Sequence, residues 1–132
     1  MPVVTLIDTP GADAGEEANA ENQAHSISHL ITEMANLDVP TLGIIWGAGY
    51  SGGAIPLATS NLLLSVRDGI FNTIQPQGLA SIARKYNLSW QECAKFVGVS
   101  AFELQDIGVI DGIIDYAPSD GIEKQGNLLR AI

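Results

Sequence analysis

The stretch "GAGYSGGA", Gly47–Ala54, decides how the chain is read. It follows "TLGIIW" (Thr41–Trp46), an apolar β-branched run that predicts a buried strand. It precedes "IPLATS" (Ile55–Ser60), which reads as a short helix from about Gly52. Glycine and alanine crowd around one serine and one tyrosine. Three chemistries suit such a turn: a nucleophilic serine, a backbone anion hole, or a tight strand-to-helix connection.

The same punctuation occurs earlier. "VVTLI" (Val3–Ile7) predicts another buried strand, broken by "DTPGADAG" (Asp8–Gly15). A helical pattern then runs from about Ala18 to Leu37, with Ile27, Leu30, Ile31 and Met34 on one face. Val39-Pro40 stops it. "LLLSV" (Leu62–Val66) and "IFNTI" (Ile70–Ile74) predict strands, "QPQG" (Gln75–Gly78) a turn and "LASIARKY" (Leu79–Tyr86) a helix. Ser89 with Glu92, and Ser100 with Glu103, have the spacing of capping boxes, and Gly108 stands where a helix would end. "VIDGIID" (Val109–Asp115) reads as extended, and the tail past Pro118 as helical near Leu128. Alternating strands and helices imply an α/β fold with a largely parallel sheet. Its right-handed crossovers put both glycine loops on the carboxyl edge, where such folds bind ligands.

Composition narrows the classes. The chain has 132 residues, 46% of them hydrophobic, and a net charge of −9. That charge repels phosphate backbones, so a nucleic-acid partner is not expected. A single cysteine, Cys93, allows no internal disulfide and fits a reducing compartment. No apolar run has the length of a membrane span, and no secretory leader pattern is present, so a cytoplasmic protein is expected. A strand at residue three, with nothing before it, predicts that this is part of a larger domain or that another segment completes the sheet.

Each chemistry makes a demand on the rest of the sequence. A nucleophilic Ser51 needs a base, and the histidines are His25 and His29. At about 100° per residue both fall opposite the apolar face of their helix, away from the sheet edge. Gly47, Gly49 and Gly52 have dinucleotide-fingerprint spacing, with Asp68 the corresponding acid, but no Lys-Ser/Thr follows the glycines as in a P-loop. His25 and His29 lack the intervening glutamate of a metalloprotease helix, so a solvated helix face is the simpler reading and no metal is expected in this chain. A backbone anion hole needs only small residues that let an oxygen approach main-chain N–H groups. One loop would offer Gly11 or Ala12, the other Gly52 or Gly53.

Four stretches now carry a resemblance: "TLIDTPGADAG" (Thr5–Gly15), "VPTLGIIWGAGYSGGA" (Val39–Ala54), "IQPQGLASI" (Ile74–Ile82) and "GVSAFELQDIGVIDGIID" (Gly98–Asp115). In order and spacing, from about residue 2 to 121, the chain resembles the carboxyltransferase α subunit of bacterial acetyl-CoA carboxylase. The resemblance implies a crotonase-type ββα spiral, the fold shared with Clp protease. Residues 1–132 would be one carboxyltransferase-like domain, the later part of a larger family core. It implies transfer of a carboxyl group from carboxybiotin to acetyl-CoA, giving malonyl-CoA. The partners would be a zinc-bearing β-type subunit and a biotin carrier protein in a homo- or hetero-oligomer. Catalysis would fall to the backbone of Gly11, Ala12, Gly52 and Gly53. Ligand contacts would fall to Gly49, Tyr50, Ser51, Gln75 and Gly78, with Ser51 free to cap the next helix.

The resemblance also implies departures. Clp protease carries its histidine before a Gln-Pro, where Ile74 stands here, so Clp-type proteolysis is disfavoured. The family's Ala-Glu-Glu-Arg-Gly-Gln is Ala-Asn-Ala-Glu-Asn-Gln at 18–23, with Glu21 in place of the arginine. Its Ser-Pro-Glu-Gly is Gln75-Pro76-Gln77-Gly78. A malonate decarboxylase γ-type subunit and a non-catalytic acyl-CoA-binding or scaffold subunit are the alternative readings.

Overall fold

A computed structural model describes residues 1–97 and 99–117. The helix expected near Leu128 lies outside them. The elements are β1 (Val3–Thr9), α1 (Glu16–Ala20), α2 (Gln23–Ala35), β2 (Thr41–Tyr50), α3 (Ser51–Ala58), β3 (Leu62–Val66), β4 (Ile70–Asn72), α4 (Pro76–Ile82), α5 (Trp90–Val97), α6 (Ala101–Asp106) and β5 (Gly112–Ile114). A 3-10 turn at Arg84–Tyr86 links α4 to α5. The sheet runs β1-β2-β3-β5, with β4 also paired to β2. Each of these pairings is parallel, as the alternation of strands and helices predicted.

β2 serves two neighbours on one flank. Leu42–Ile45 pair with Leu62–Ser65 of β3, and Ala48–Tyr50 pair with Ile70–Asn72 of β4. On its other flank the β1 register jumps, from Ile7 opposite Ile45 to Thr9 opposite Gly49. Asp8 spans that irregularity: its carboxylate accepts the Ala48 N–H at 3.1 Å and lies against Gly47. An aspartate thus satisfies a donor on the bulged strand.

Several expectations are corrected. The glycine stretch does not begin as a turn, because β2 continues through Gly47–Tyr50 before α3 starts. Glycine is required there for packing: a Cβ on Gly49 would lie 3.0 Å from both Ile7 Cγ2 and Phe71 Cδ2. β1 is not fully buried. Among the described residues it pairs with β2 alone, and its Val4 and Leu6 are 52% and 63% exposed while Ile7 is buried against the α3 side. The long helix breaks at Glu21–Asn22, where Asn22 is left-handed at φ 60°, a conformation asparagine tolerates. α4 starts at Pro76, inside the expected turn, because proline suits the first turn of a helix.

The main core joins the sheet to α3 and α6 through Ile7, Ile45, Ala54, Leu63, Ala101, Leu104 and Ile110. A second cluster stacks Trp46 on Tyr116, 5.2 Å apart, beside Val66. Both expected capping boxes form. The Ser100 hydroxyl accepts the Glu103 N–H, and the Glu103 carboxylate accepts the Ser100 N–H at 2.9 Å. Ser89 and Glu92 repeat the arrangement ahead of α5, with the Ser89 N–H donating at 2.8 Å. Gly108, at φ +75°, ends α6 as expected.

Candidate functional site

The pairing of Thr9 with Gly49 sets the ends of β1 and β2 side by side, so the two glycine loops leave the sheet together. Gly11 adopts φ +112°, open to glycine and strained for other residues. A Cβ there would lie 3.2 Å from the Tyr50 carbonyl oxygen and 3.4 Å from Ser51 Cβ. A Cβ on Gly53 would lie 2.9 Å from the Gly11 carbonyl carbon and 2.9 Å from Thr9 Oγ1. On Gly52 it would lie 2.9 Å from Ile27 Cδ1 and 3.6 Å from Ala12 Cβ. Gly11, Ala12, Gly52 and Gly53 therefore form one cluster. Its loops touch backbone to backbone.

Ser51 does not cap α3. Tyr50 is the N-cap residue, with no side-chain cap bond, and Ser51 is the first helical residue at φ 54°. A left-handed backbone at Ser51 makes the sharp turn from strand to helix, so its contribution is conformational. Gly49 and Tyr50 end β2 and pair with Phe71 and Asn72 of β4. Gln75 is the N-cap residue of α4, three residues beyond that pairing, and Gly78 packs on Ile74. The structure thus groups Gly49, Tyr50 and Ser51 with the two loops and sets Gln75 at the start of the neighbouring α4 and Gly78 in its first turn.

The first loop is tied down by its own residues. Asp13 Oδ1 accepts the Gly15 N–H at 2.8 Å. Oriented with its nitrogen toward the Asp13 carbonyl, the Gln23 amide donates to it at 2.6 Å and accepts the Asp13 N–H at 3.1 Å. The Gly11 N–H turns back to Thr9 Oγ1 at 3.4 Å.

Two recesses flank the cluster and meet at Gln23 and Ile27. One, of about 290 Å³, mixes acidic and apolar lining, with Asp13, Glu16, Asn19 and Gln23 beside Ala14, Ala24 and Ile27. The other, of about 280 Å³, is apolar and runs between α2 and α3, lined by Ile27, Leu30, Gly52, Gly53, Pro56 and Leu57. His25 and His29 are exposed on α2, their rings 5.9 Å apart, with His29 4.0 Å from Glu33. Among the described residues no group of three or more His, Cys, Asp or Glu could hold a metal ion. No described helix is long and apolar enough to cross a membrane.

Two contributors escaped the sequence reading. Asp8 holds the β2 bulge, and Ile27 walls the cluster where the recesses meet. Ile27 was legible only as a core position. Asp8 stood at the strand-to-loop boundary, without a partner visible in the sequence.

Comparison with known proteins gives this geometry relatives. A family model described as acetyl co-enzyme A carboxylase carboxyltransferase-like matches residues 1–129. The acetyl-coenzyme A carboxylase carboxyl transferase subunit alpha of Cyanidioschyzon merolae is 40% identical over 114 residues, 86% of this chain and 37% of the relative. That of Pelagibacter ubique is 38% identical over 129 residues, 98% of this chain and 35% of the relative. The chain therefore spans little more than a third of the length of these curated relatives. Transcarboxylase 12S, solved with methylmalonyl-coenzyme A and methylmalonic acid, superposes with a TM-score of 0.76 at 14% identity, covering 99% of this chain and 27% of that one. A Pseudomonas malonate decarboxylase hetero-tetramer in complex with coenzyme A gives 0.69 at 16% identity, covering 97% and 54%. These structural likenesses establish the crotonase-type fold. With the family model matching almost the whole chain, this chain belongs to the acetyl co-enzyme A carboxylase carboxyltransferase-like family.

Proposed function

We propose that this chain supplies part of the site at which a carboxyl group passes from carboxybiotin to acetyl-CoA, and that it acts through its backbone. The observation that carries the reading is the seating of Gly53 against Gly11, which brings the two loops together backbone to backbone. The chain has no lysine or arginine before Arg67, and the charged residues lining the recess beside the loops, Asp13 and Glu16, are acidic. Negative charge developing on a bound carbonyl oxygen would therefore be met by main-chain N–H groups. Gly52 and Gly53, in the first turn of α3, are the donors from one loop. Ala12 is the better donor from the other, because the Gly11 N–H is turned to Thr9. Such donors act at about 3 Å and are worth roughly 3 kcal/mol each in a site that excludes water. Ile27, Leu30 and Leu57 supply an apolar wall beside these donors.

When bound, carboxybiotin supplies the carboxyl group and a ureido nitrogen able to take the acetyl proton. The carrier protein and a β-type subunit would complete the assembly.

The reading is tested with the full chain, its candidate β-type subunit, biotin and malonyl-CoA. Carboxyl transfer that requires both proteins and both substrates supports it. Absence of transfer with every acyl-CoA tried would favour a non-catalytic subunit.

A further inference from the structure

Charge is segregated along this chain. Before Arg67 there is no lysine or arginine, and Glu16, Glu17, Glu21 and Glu33 are exposed along α1 and α2. From Pro76 to Val97 the sign reverses: Arg84, Lys85 and Lys95 face a single carboxylate, Glu92. Glu92 is moreover engaged, its carboxylate accepting the Ser89 N–H and hydroxyl at 2.8 Å. This basic segment is a helical arm. α4 and α5 pack mainly on each other, and α5 is tied to β4 by the Asn72 amide donating to the Val97 carbonyl at 2.7 Å. Its large apolar side chains face solvent: Ile82 is 75% exposed, Phe96 71% and Tyr86 65%, and Trp90 is half-exposed. Lys85 Nζ lies 4.9 Å over the Tyr86 ring, joining the basic and aromatic surfaces. Exposed aromatics beside basic residues have the composition of a docking surface, and the complement they call for is acidic with apolar positions.

The chain presents that complement itself. The α1–α2 segment exposes the four glutamates, and Leu30 and Leu37 of the same segment are exposed as well. We propose that the α4–α5 arm of one copy docks on the α1–α2 face of a second copy, twice, about a two-fold axis. Two copies each carrying −9 repel in most orientations, and this one places cations against carboxylates at both contacts. Like-charge contact elsewhere selects against other arrangements.

Sedimentation equilibrium of the full chain tests this, with Trp90 emission reporting burial of its ring. Wild type dimerises, its emission shifts to the blue on pairing, and its dissociation constant rises with salt as the exposed pairs are screened. Reversing the arm (Arg84→Glu with Lys85→Glu) weakens the dimer by about 10-fold or more, and so does reversing the face (Glu16→Lys with Glu17→Lys). Mixing the two variants restores pairing, because in the mixed dimer the reversed arm meets the reversed face at one contact and the native arm meets the native face at the other. A monomer at every accessible concentration overturns the proposal. So do a salt-insensitive dimer and a mixture that fails to recover. Far-UV circular dichroism of each variant confirms folding, and the wild-type salt series decides the matter should a variant not fold.

Discussion

Replacing Gly53 with alanine tests how the two loops meet. Gly53 lies within α3 and does not have a positive φ, so on local grounds alanine should help by about 0.5–1 kcal/mol. The non-local surroundings oppose it. The new Cβ would sit 2.9 Å from the Gly11 carbonyl carbon and 3.1 Å from Gly11 Cα. Those are backbone atoms of a loop pinned by Gln23 and Asp13, and no rotamer change removes them. Thr9 Oγ1, also at 2.9 Å, can rotate. Relief requires the first loop to move by several tenths of an ångström. Overpacking of this kind costs about 1–3 kcal/mol; with a rigid backbone neighbour the upper half of that range applies, about 2–3 kcal/mol, and the net effect is a loss of about 1–2.5 kcal/mol. That is a fall of about 3–10 °C in Tm for a domain of this size. The displacement also shifts the proposed donors, so turnover of the assembled enzyme should fall by about 100-fold. Gly52→Ala is the control: its Cβ meets Ile27 Cδ1, the far end of a side chain that can turn, and Tm should hardly change. Calorimetry and a carboxyl-transfer assay read both effects. A Gly53→Ala protein as stable and as active as wild type would refute the contact between the loops and the use made of it.

At Ser51, φ 54° favours glycine: Ser51→Gly should be neutral or stabilising by up to about 1 kcal/mol, while β-branched Ser51→Val should lose about 1–2 kcal/mol by denaturant titration. Ser51 should also resist serine-directed fluorophosphonates, and labelling abolished by Ser51→Ala would reverse its assignment as a backbone element. Asp8→Ala leaves the Ala48 N–H of the bulge without its acceptor and should cost about 1 kcal/mol, with Asp8→Asn retaining most of the stability. Glu92 and Glu103 are each held below the usual carboxylate range, chiefly by the backbone N–H of Ser89 and Ser100 and then by the serine hydroxyls. A depressed folded pKa adds stability above the unfolded value that is lost as pH falls through the folded one. Wild type should therefore lose stability across that acid interval, and a Glu92→Gln, Glu103→Gln double variant should show a flatter profile there.

What was legible in the sequence was local. β-branched runs gave the parallel strands, and Ser-x-x-Glu spacing gave both capping boxes, because one element contains every partner. The grouping of the glycine loops on one edge followed from crossover handedness, which also needs no distant contact. Failures came where a distant neighbour decided the outcome. Gly47 and Gly49 read as turn residues, but Asp8, Ile7 and Phe71 press close to them, and glycine there serves the sheet. Val4 and Leu6 read as buried because nothing in "VVTLI" distinguishes a strand covered on one face from a strand covered on both. Ser51 read as a cap by residue type, and its left-handed backbone is visible only in coordinates. Seating Gly53 on Gly11 joins residues 42 apart, and no spacing rule reaches that far.

The two-partner flank of β2 has a kinetic consequence. Its first half zips to β3, which follows α3 directly, but its second half, Ala48–Tyr50, must wait for β4. That strand is three residues long and pairs through only Ile70–Asn72. The segment leading into the glycine cluster is thus secured on this flank by the shorter ladder, while the first half of β2 is secured by the longer one. Local opening should begin at that end, and amide protons of Ala48–Tyr50 should exchange with solvent sooner than those of Gly43–Ile45. The loops could then part and close again without the sheet coming apart, and a bound partner that spans β4 and β2 would register as slowed exchange at those amides.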